Sequence, residues 1–410
     1  MSAKDEPLAA GSLEREVRAA LEVLSGALVT ATPTGGPSLA SGESGLALAH
    51  AYLHPLFPDD GHDDAAHDRL ARAMETVGEE ATHPGLHNGF AGVAWVLEHL
   101  RESSDGDDAG LAAEEALAEL LRDGTWDGPY DLISGVVGAG VLALERMPRD
   151  GAGAMLAAVV GELARRATTA PEGITWTSDP EWLPAGVRGQ RTAPYQDLGV
   201  AHGVPGAIAI LAAARAHGVA VDEATRLLDG AVSWLLAQRL EGDARSSFAN
   251  DVRPGAPAVP ARTAWCYGDA GIASALLQAA RARGDARWEA AAIDVARRAA
   301  ARDVAAAGVI DAGLCHGAAG LAHTFHRLYR ATGDAALGDA ARRWLAVTLG
   351  MRAESGGVGG FVSLDPVEGR RIDDPAYLTG AAGIALALAA AITVGDAAWD
   401  RPLLLSAAGA

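Results

Sequence analysis

A Gly-x-x-Gly step followed by a run of small and aliphatic residues occurs seven times in this chain: Gly42/Gly45, Gly89/Gly92, Gly135/Gly138, Gly203/Gly206, Gly268/Gly271, Gly317/Gly320 and Gly380/Gly383. The first glycines are 46 to 68 residues apart, the length of a helix pair with room in places for a long insertion. Before the first step and between the later ones lie more polar stretches with apolar residues every three or four positions, at 13–24, 65–77, 111–121, 155–166, 224–240, 288–301 and 335–349. In the third, Ala113, Ala116, Leu117, Leu120 and Leu121 form one apolar stripe. Glu115, Glu119 and Arg122 fall opposite it and Glu114 at its edge.

Helices that are apolar all round have to be buried, and amphipathic ones have to cover them. Seven of each, alternating, predict an all-α fold: an α/α toroid with an inner ring of seven glycine-opened helices inside an outer ring of seven. An open solenoid of helix pairs fits the same repeat but leaves the inner faces exposed. Composition agrees with close helix packing, since 49% of residues are hydrophobic while only 5% are aromatic. We expect a single domain over 1–410, with insertions near 171–198, 241–262 and 352–376. The uncharged segment 377–395 is long enough to raise the question of a membrane span. Its small residues and its place in the repeat instead predict a buried inner helix.

A formal net charge of −20 argues against a nucleic-acid partner, which needs a basic face. No phosphate-binding loop or nucleotide fingerprint is present, so no cofactor-binding residues of that kind are expected. The first seven residues carry no apolar run of the signal-peptide type, and two cysteines form no disulfide framework. A cytoplasmic location is the expectation.

Those two cysteines stand at matching points of the repeat, Cys266 two residues before Gly268 and Cys315 two before Gly317, with His316 beside the second. Two thiolates and an imidazole suit Zn2+ and leave a fourth tetrahedral position open, as in catalytic sites. If every inner helix runs the same way, the residues before the glycine steps gather at one end. Asp131, His202, Cys266, Cys315 and His316 then converge, at helix N-termini whose partial positive charge favours thiolate. The competing readings are plain ones. Buried cysteines often serve as small apolar residues, His202 can bond backbone at a helix start, Asp131 can cap a helix, Arg262 can pair with a carboxylate and Tyr267 can simply pack. His87, next to Asn88-Gly89, occupies an equivalent position and is a candidate substrate contact.

The runs Trp265-Cys266-Tyr267-Gly268 and Cys315-His316-Gly317, the step Ala201-His202-Gly203 and the sevenfold repeat resemble the lanthionine synthetase C-like family, the cyclases of lanthipeptide biosynthesis. The resemblance implies a double ring of seven helices and zinc held by Cys266, Cys315 and His316. It implies acid/base roles for His202 and Asp131, and places Arg262 and Tyr267 beside the metal. The implied reaction adds peptide cysteine thiols to dehydroalanine or dehydrobutyrine, forming (methyl)lanthionine thioether rings. The partners expected are a dehydrated precursor peptide and a separate dehydratase. Intermolecular addition of a thiol such as glutathione, or a non-catalytic zinc-stabilised peptide-binding module, are the alternatives. Glycan hydrolysis on a helical toroid would call for paired carboxylates instead.

Overall fold

The computed structural model describes residues 6–79, 82–101, 108–122, 124–183, 191–242, 245–365 and 369–406. Each of the three insertions expected from the sequence therefore lies partly outside the described residues. Fourteen α-helices occur among those described: α1 (Ser12–Val29), α2 (Glu43–Leu53), α3 (His62–Glu79), α4 (Phe90–His99), α5 (Leu111–Arg122), α6 (Val136–Glu145), α7 (Ala152–Arg166), α8 (Val204–Ala216), α9 (Val221–Ala237), α10 (Asp269–Arg283), α11 (Ala286–Ala301), α12 (Ala318–Thr332), α13 (Ala335–Gly350) and α14 (Ala381–Ile392). The even-numbered helices are the glycine-opened ones. Every residue of α14 is buried, and among the described residues no helix is long and apolar enough to cross a membrane. The odd-numbered helices are amphipathic, α9 burying Leu227, Leu228, Ala231, Val232 and Leu235 on one side.

Contacts divide the chain into two compact units. The first takes Met1–Thr82, Thr263–Trp265 and Ala300–Asp400. Within it α14 lies between α12 and α2, and each is backed by an amphipathic helix: α13 behind α12, α1 behind α14 and α3 behind α2. The second takes His83–Arg262, Cys266–Ala299 and Arg401–Ala410. There α4, α6, α8 and α10 follow one another in sequence order, with α5, α7 and α9 behind the first three.

The glycine steps have a steric cause. The second glycine of a step sits in the first turn of its helix, against the carbonyl of the residue six positions earlier. A Cβ there would lie 2.1 Å from the oxygen of Leu39 at Gly45, 1.8 Å from that of Leu314 at Gly320 and 2.0 Å from that of Tyr377 at Gly383. No side chain caps these helices. In α2, α4, α6, α12 and α14 first-turn N–H groups, which have no partner inside a helix, donate instead to carbonyls seven residues back. Glu43 N bonds Gly36 O (2.9 Å), Phe90 N bonds His83 O (2.9 Å), Ala318 N bonds Asp311 O (3.0 Å) and Ala381 N bonds Asp374 O (2.9 Å). The loops before these five helices thus fold back along the first turn, and at Gly45, Gly320 and Gly383 only glycine leaves room for that.

Neighbouring loops are also joined to one another. In the second unit His87 N donates to Ile133 O, Leu132 N to Ala201 O and Ala201 N to Cys266 O; in the first, Cys315 N donates to Leu378 O and Leu378 N to Ala40 O. His87, Ile133, Ala201 and Cys266 in one unit, and Ala40, Cys315 and Leu378 in the other, all lie two residues before a step glycine. Backbone bonding therefore brings corresponding loop positions level with one another within each unit.

Three short antiparallel strand pairs interrupt the helices. β1 (Thr168–Ala170) pairs with β2 (Gly173–Thr175), β3 (Gln196–Asp197) with β4 (Asp251–Val252), and β5 (Ser363–Leu364) with β6 (Arg371–Ile372). The second pair sets Asp197 opposite Asp251 and ties the 241–262 insertion to the loop that leads into α8.

One expectation fails in detail. Glu114, assigned to the edge of the α5 stripe, is buried, while Ala116, assigned to the stripe, is exposed. The cause is Arg146 at the end of α6, whose side chain has no solvent exposure and whose Nε donates to Glu114 Oε2 at 2.5 Å. Arg146 also bonds Asp108 (2.7 Å) and Glu98 (3.1 Å). An ion-pair cluster, not an unbroken apolar stripe, fills that seam.

Candidate metal centre

Cys315 and His316 belong to the loop that opens α12, and His316 is fixed next to a buried carboxylate. Asp311 Oδ2 lies 3.8 Å from His316 Nε2 and accepts from Leu364 N at 3.4 Å, while Asp311 Oδ1 accepts from Gly313 N at 3.3 Å. Cys266 is buried in the loop that opens α10, and neither cysteine is in a disulfide. The glycine after this loop, Gly268, has φ +123°, a conformation that a residue with a side chain rarely adopts. Arg262 reaches Cys266 with Nη2 3.8 Å from Sγ, close enough for its charge to favour the thiolate.

Cys266, Cys315 and His316 each offer one ligand atom, and the three atoms lie within 4.8 Å of one another. Among the described residues no other group of His, Cys, Asp or Glu is found at that spacing. Zinc bonds of about 2.3 Å to sulfur and 2.0–2.1 Å to nitrogen hold tetrahedral donors roughly 3.5–3.8 Å apart, so small side-chain rotations close the set around an ion. The donor types fit zinc.

In the second unit the polar residues expected near Cys266 are brought together. His202 Nδ1 lies 2.5 Å from Asp131 Oδ2, and Asp131 Oδ1 accepts from Ser134 N at 2.8 Å. Both carboxylate oxygens are thereby held, and no protein hydrogen bond is made at His202 Nε2 among the described residues. Burial alone would lower the His202 pKa. The adjacent Asp131 carboxylate outweighs it, with further support from Asp197 and Cys266, and the pKa is pushed up to about 9. His202 is therefore an imidazolium at neutral pH.

Tyr267 donates its hydroxyl to Asp197 Oδ2 at 2.7 Å, and its ring centroid is 6.3 Å from that of His202. Asp197 is fully buried, and burial pushes its pKa up to about 6 against the opposing pull of His202. His87 is different from what its position suggested. It is buried with Nε2 3.0 Å from Pro402 O, so it faces the protein interior and not a substrate.

Asp197 and Asp311 went unremarked in the sequence, although a signal was present. Asp197, Asp311 and Asp374 each stand six residues before a step glycine, and each accepts a backbone N–H from two residues on. Superposing the repeats would have shown them.

A family model described as lanthionine synthetase C-like protein matches residues 33–404. The chain belongs to the lanthionine synthetase C-like family. This family member also resembles the solved structure of nisin cyclase, with 18% identity, 95% of this chain and 97% of that chain covered, and a TM-score of 0.76. Its fold is accordingly of the α/α toroid class expected from the repeat. A structure of unsaturated glucuronyl hydrolase from Streptococcus agalactiae also aligns, at 10% identity over 92% of this chain and 91% of that one, with a TM-score of 0.46. That overlap is too loose to carry a functional argument. No curated protein matches the lanthionine synthetase C-like chain.

Proposed function

We propose that this family member is a zinc-dependent lanthipeptide cyclase, adding cysteine thiols of a dehydrated precursor peptide to its dehydroalanine or dehydrobutyrine residues. The observation that carries the reading is the Cys266–Cys315–His316 donor set, together with the bond from Ala201 N to Cys266 O that anchors the loop of His202 to that of Cys266. In this reading residues 1–410 act as one catalytic domain in a reducing, cytoplasmic setting, on a peptide dehydrated by a separate enzyme.

Cys266, Cys315 and His316 would hold the ion. Bound there, zinc would supply the acidity that converts a substrate thiol, ordinarily of pKa near 8.5, into a thiolate at neutral pH. The substrate sulfur forms a bond to the β-carbon of the dehydro residue, the carbon–carbon π bond breaks, and its electron pair moves to the amide oxygen as an enolate. His202, held charged by Asp131, delivers the Nε2 proton to the α-carbon and is reprotonated at the expense of the proton the thiol released. The product is an isomer of the substrate. Arg262 supplies positive charge beside Cys266, where negative charge accumulates.

The test joins two measurements. Elemental analysis of purified protein should find about one zinc per chain, lost when Cys266 or Cys315 is replaced by alanine. Incubation with a dehydrated peptide that retains its cysteines should consume free thiol at unchanged mass. A product heavier by one added glutathione would instead show intermolecular addition. Absence of transition metal from active protein would remove the zinc reading.

A further inference from the structure

We infer that Asp197 is a positioning residue for this chemistry. By taking the hydrogen bond of the Tyr267 hydroxyl, it turns that oxygen into an acceptor for the substrate backbone and leaves His202 as the proton donor. The inference rests on the cyclase reading and adds to it a residue for which the sequence suggested no role.

The repeat supplies the comparison. Asp374, at the equivalent place before α14, spends Oδ1 on Ala376 N and Oδ2 on Thr379 Oγ1, both within its own loop. Asp311 spends Oδ1 on Gly313 N in its own loop, while its Oδ2 accepts from Leu364 N and faces His316. Asp197 makes the same turn with Oδ1, which accepts from Gly199 N at 2.8 Å. Its Oδ2 instead reaches the Tyr267 hydroxyl, at the start of a different inner helix. Forming the loop does not require that second bond. Gly199 lets the two segments come this close, since a Cβ there would lie 2.5 Å from Cys266 O and 2.9 Å from the Tyr267 ring.

A phenol has one proton to donate, and here Asp197 accepts it. The lone pairs of the Tyr267 oxygen remain for an N–H donor, and the peptide backbone flanking a dehydro residue offers one. A hydroxyl proton given to a buried carboxylate is not available to an enolate, whereas the Nε2 proton of His202 is. Asp131 and Asp197 are the carboxylates that act on His202, Asp131 in direct contact and Asp197 through its charge.

The test uses full-length zinc-loaded protein and the Asp197→Asn variant. An asparagine can keep its oxygen on Gly199 N, and it then presents an amide N–H to the phenol, reversing the bond. The Raman tyrosine doublet, isolated by subtracting the spectrum of Tyr267→Phe, should show a strong donor in the wild type and lose that signature in Asp197→Asn. Cyclisation kcat should fall about tenfold in Asp197→Asn, the order expected for one misdirected hydrogen bond. KM, zinc content and thermal unfolding should change little. Tyr267→Phe should cost a similar factor, and Asp197→Asn should add nothing to it. An unchanged doublet, or effects of the two substitutions that multiply, would overturn the inference. A wild-type protein that cyclises nothing would defeat the cyclase reading instead, and the Raman comparison would still report which way the hydroxyl points.

Discussion

His202 Nδ1 and Asp131 Oδ2 are 2.5 Å apart, although 71 residues separate them in the chain. The contact exists because Leu132 N donates to Ala201 O, so the residues just before two successive glycine steps are bonded backbone to backbone. A carboxylate whose other oxygen is tied to Ser134 N then has one direction left to face, and it faces the imidazole.

The sign of the resulting pH dependence follows. A histidine pKa raised from its ordinary 6.5 to about 9 keeps the proton through neutral pH and loses it as pH rises through about 9. Cyclisation that depends on this proton should hold steady between about pH 7 and 8 and fall above about pH 9. In Asp131→Asn the carboxylate charge is gone and burial acts unopposed by it, so the falling limb should move to lower pH. At neutral pH the rate should drop about 100-fold. The rate–pH profiles of both proteins, with zinc content followed in parallel, check this.

Much of the fold could be read from the glycine spacing, because both the buried and the amphipathic helices follow from which faces lack charge. The boundaries were close as well: a stretch read as 335–349 is the helix Ala335–Gly350. What the sequence concealed was polar and long-range. Glu114 is buried because Arg146, 32 residues away, needs a counter-ion, and no periodicity within α5 records that. His87 shares the register of Cys266, yet the chain returns over it at Pro402. Cys266, Cys315 and His202 stood out because cysteine and histidine are scarce in this chain, and Asp131 through the family resemblance. Asp197 and Asp311 were lost among many acidic residues.

The Arg146 cluster yields a stability prediction within the second unit. The guanidinium has no solvent exposure and contacts Glu114, Asp108 and Glu98. Arg146→Ala would strand Glu114 as a buried carboxylate and should cost about 3–5 kcal/mol in denaturant unfolding, as removal of one partner of a buried pair does. Adding Glu114→Gln should restore part of that loss, since the stranded charge then disappears.

Acid should weaken the first unit through His50 and His62. Their Nδ1 atoms are 2.7 Å apart, and His62 Nε2 lies 2.6 Å from Ser25 Oγ. Both residues have no solvent exposure. Burial lowers the pKa of His50 to about 3, helped by His62 and Arg69, and burial also lowers that of His62. A folded-state pKa held below the unfolded value means that unfolding takes up a proton. The stability contributed is therefore present above about pH 6.5 and lost as pH falls below it. For His50 alone the loss by pH 5 should be about 2 kcal/mol. The difference in urea midpoint between pH 7.5 and pH 5 should narrow in His50→Leu, although His326 of the same unit, also lowered by burial, keeps some of it.

Glycines of two kinds occur in these helices, and alanine should separate them. At Gly320 a Cβ would meet Leu314 O at 1.8 Å, and that oxygen is backbone in the loop bearing Cys315, so it has no side-chain freedom with which to withdraw. Gly320→Ala should therefore destabilise by roughly 3 kcal/mol or more and loosen zinc binding, because the strain falls on a ligand-bearing loop. At Gly161 in α7 and Gly26 in α1 a Cβ meets nothing within 4 Å, and both positions are exposed helix interior. Alanine there reduces the backbone freedom of the unfolded chain and introduces no clash, and each change should add about 0.5–1 kcal/mol. Opposite signs for one substitution in one fold, measured by denaturant titration, would show that the repeated glycines are required by the loop that folds against the helix start. Equal and small effects at all three sites would mean that the loop before α12 can shift to accept a methyl group, and zinc affinity in Gly320→Ala would then stay at the wild-type value.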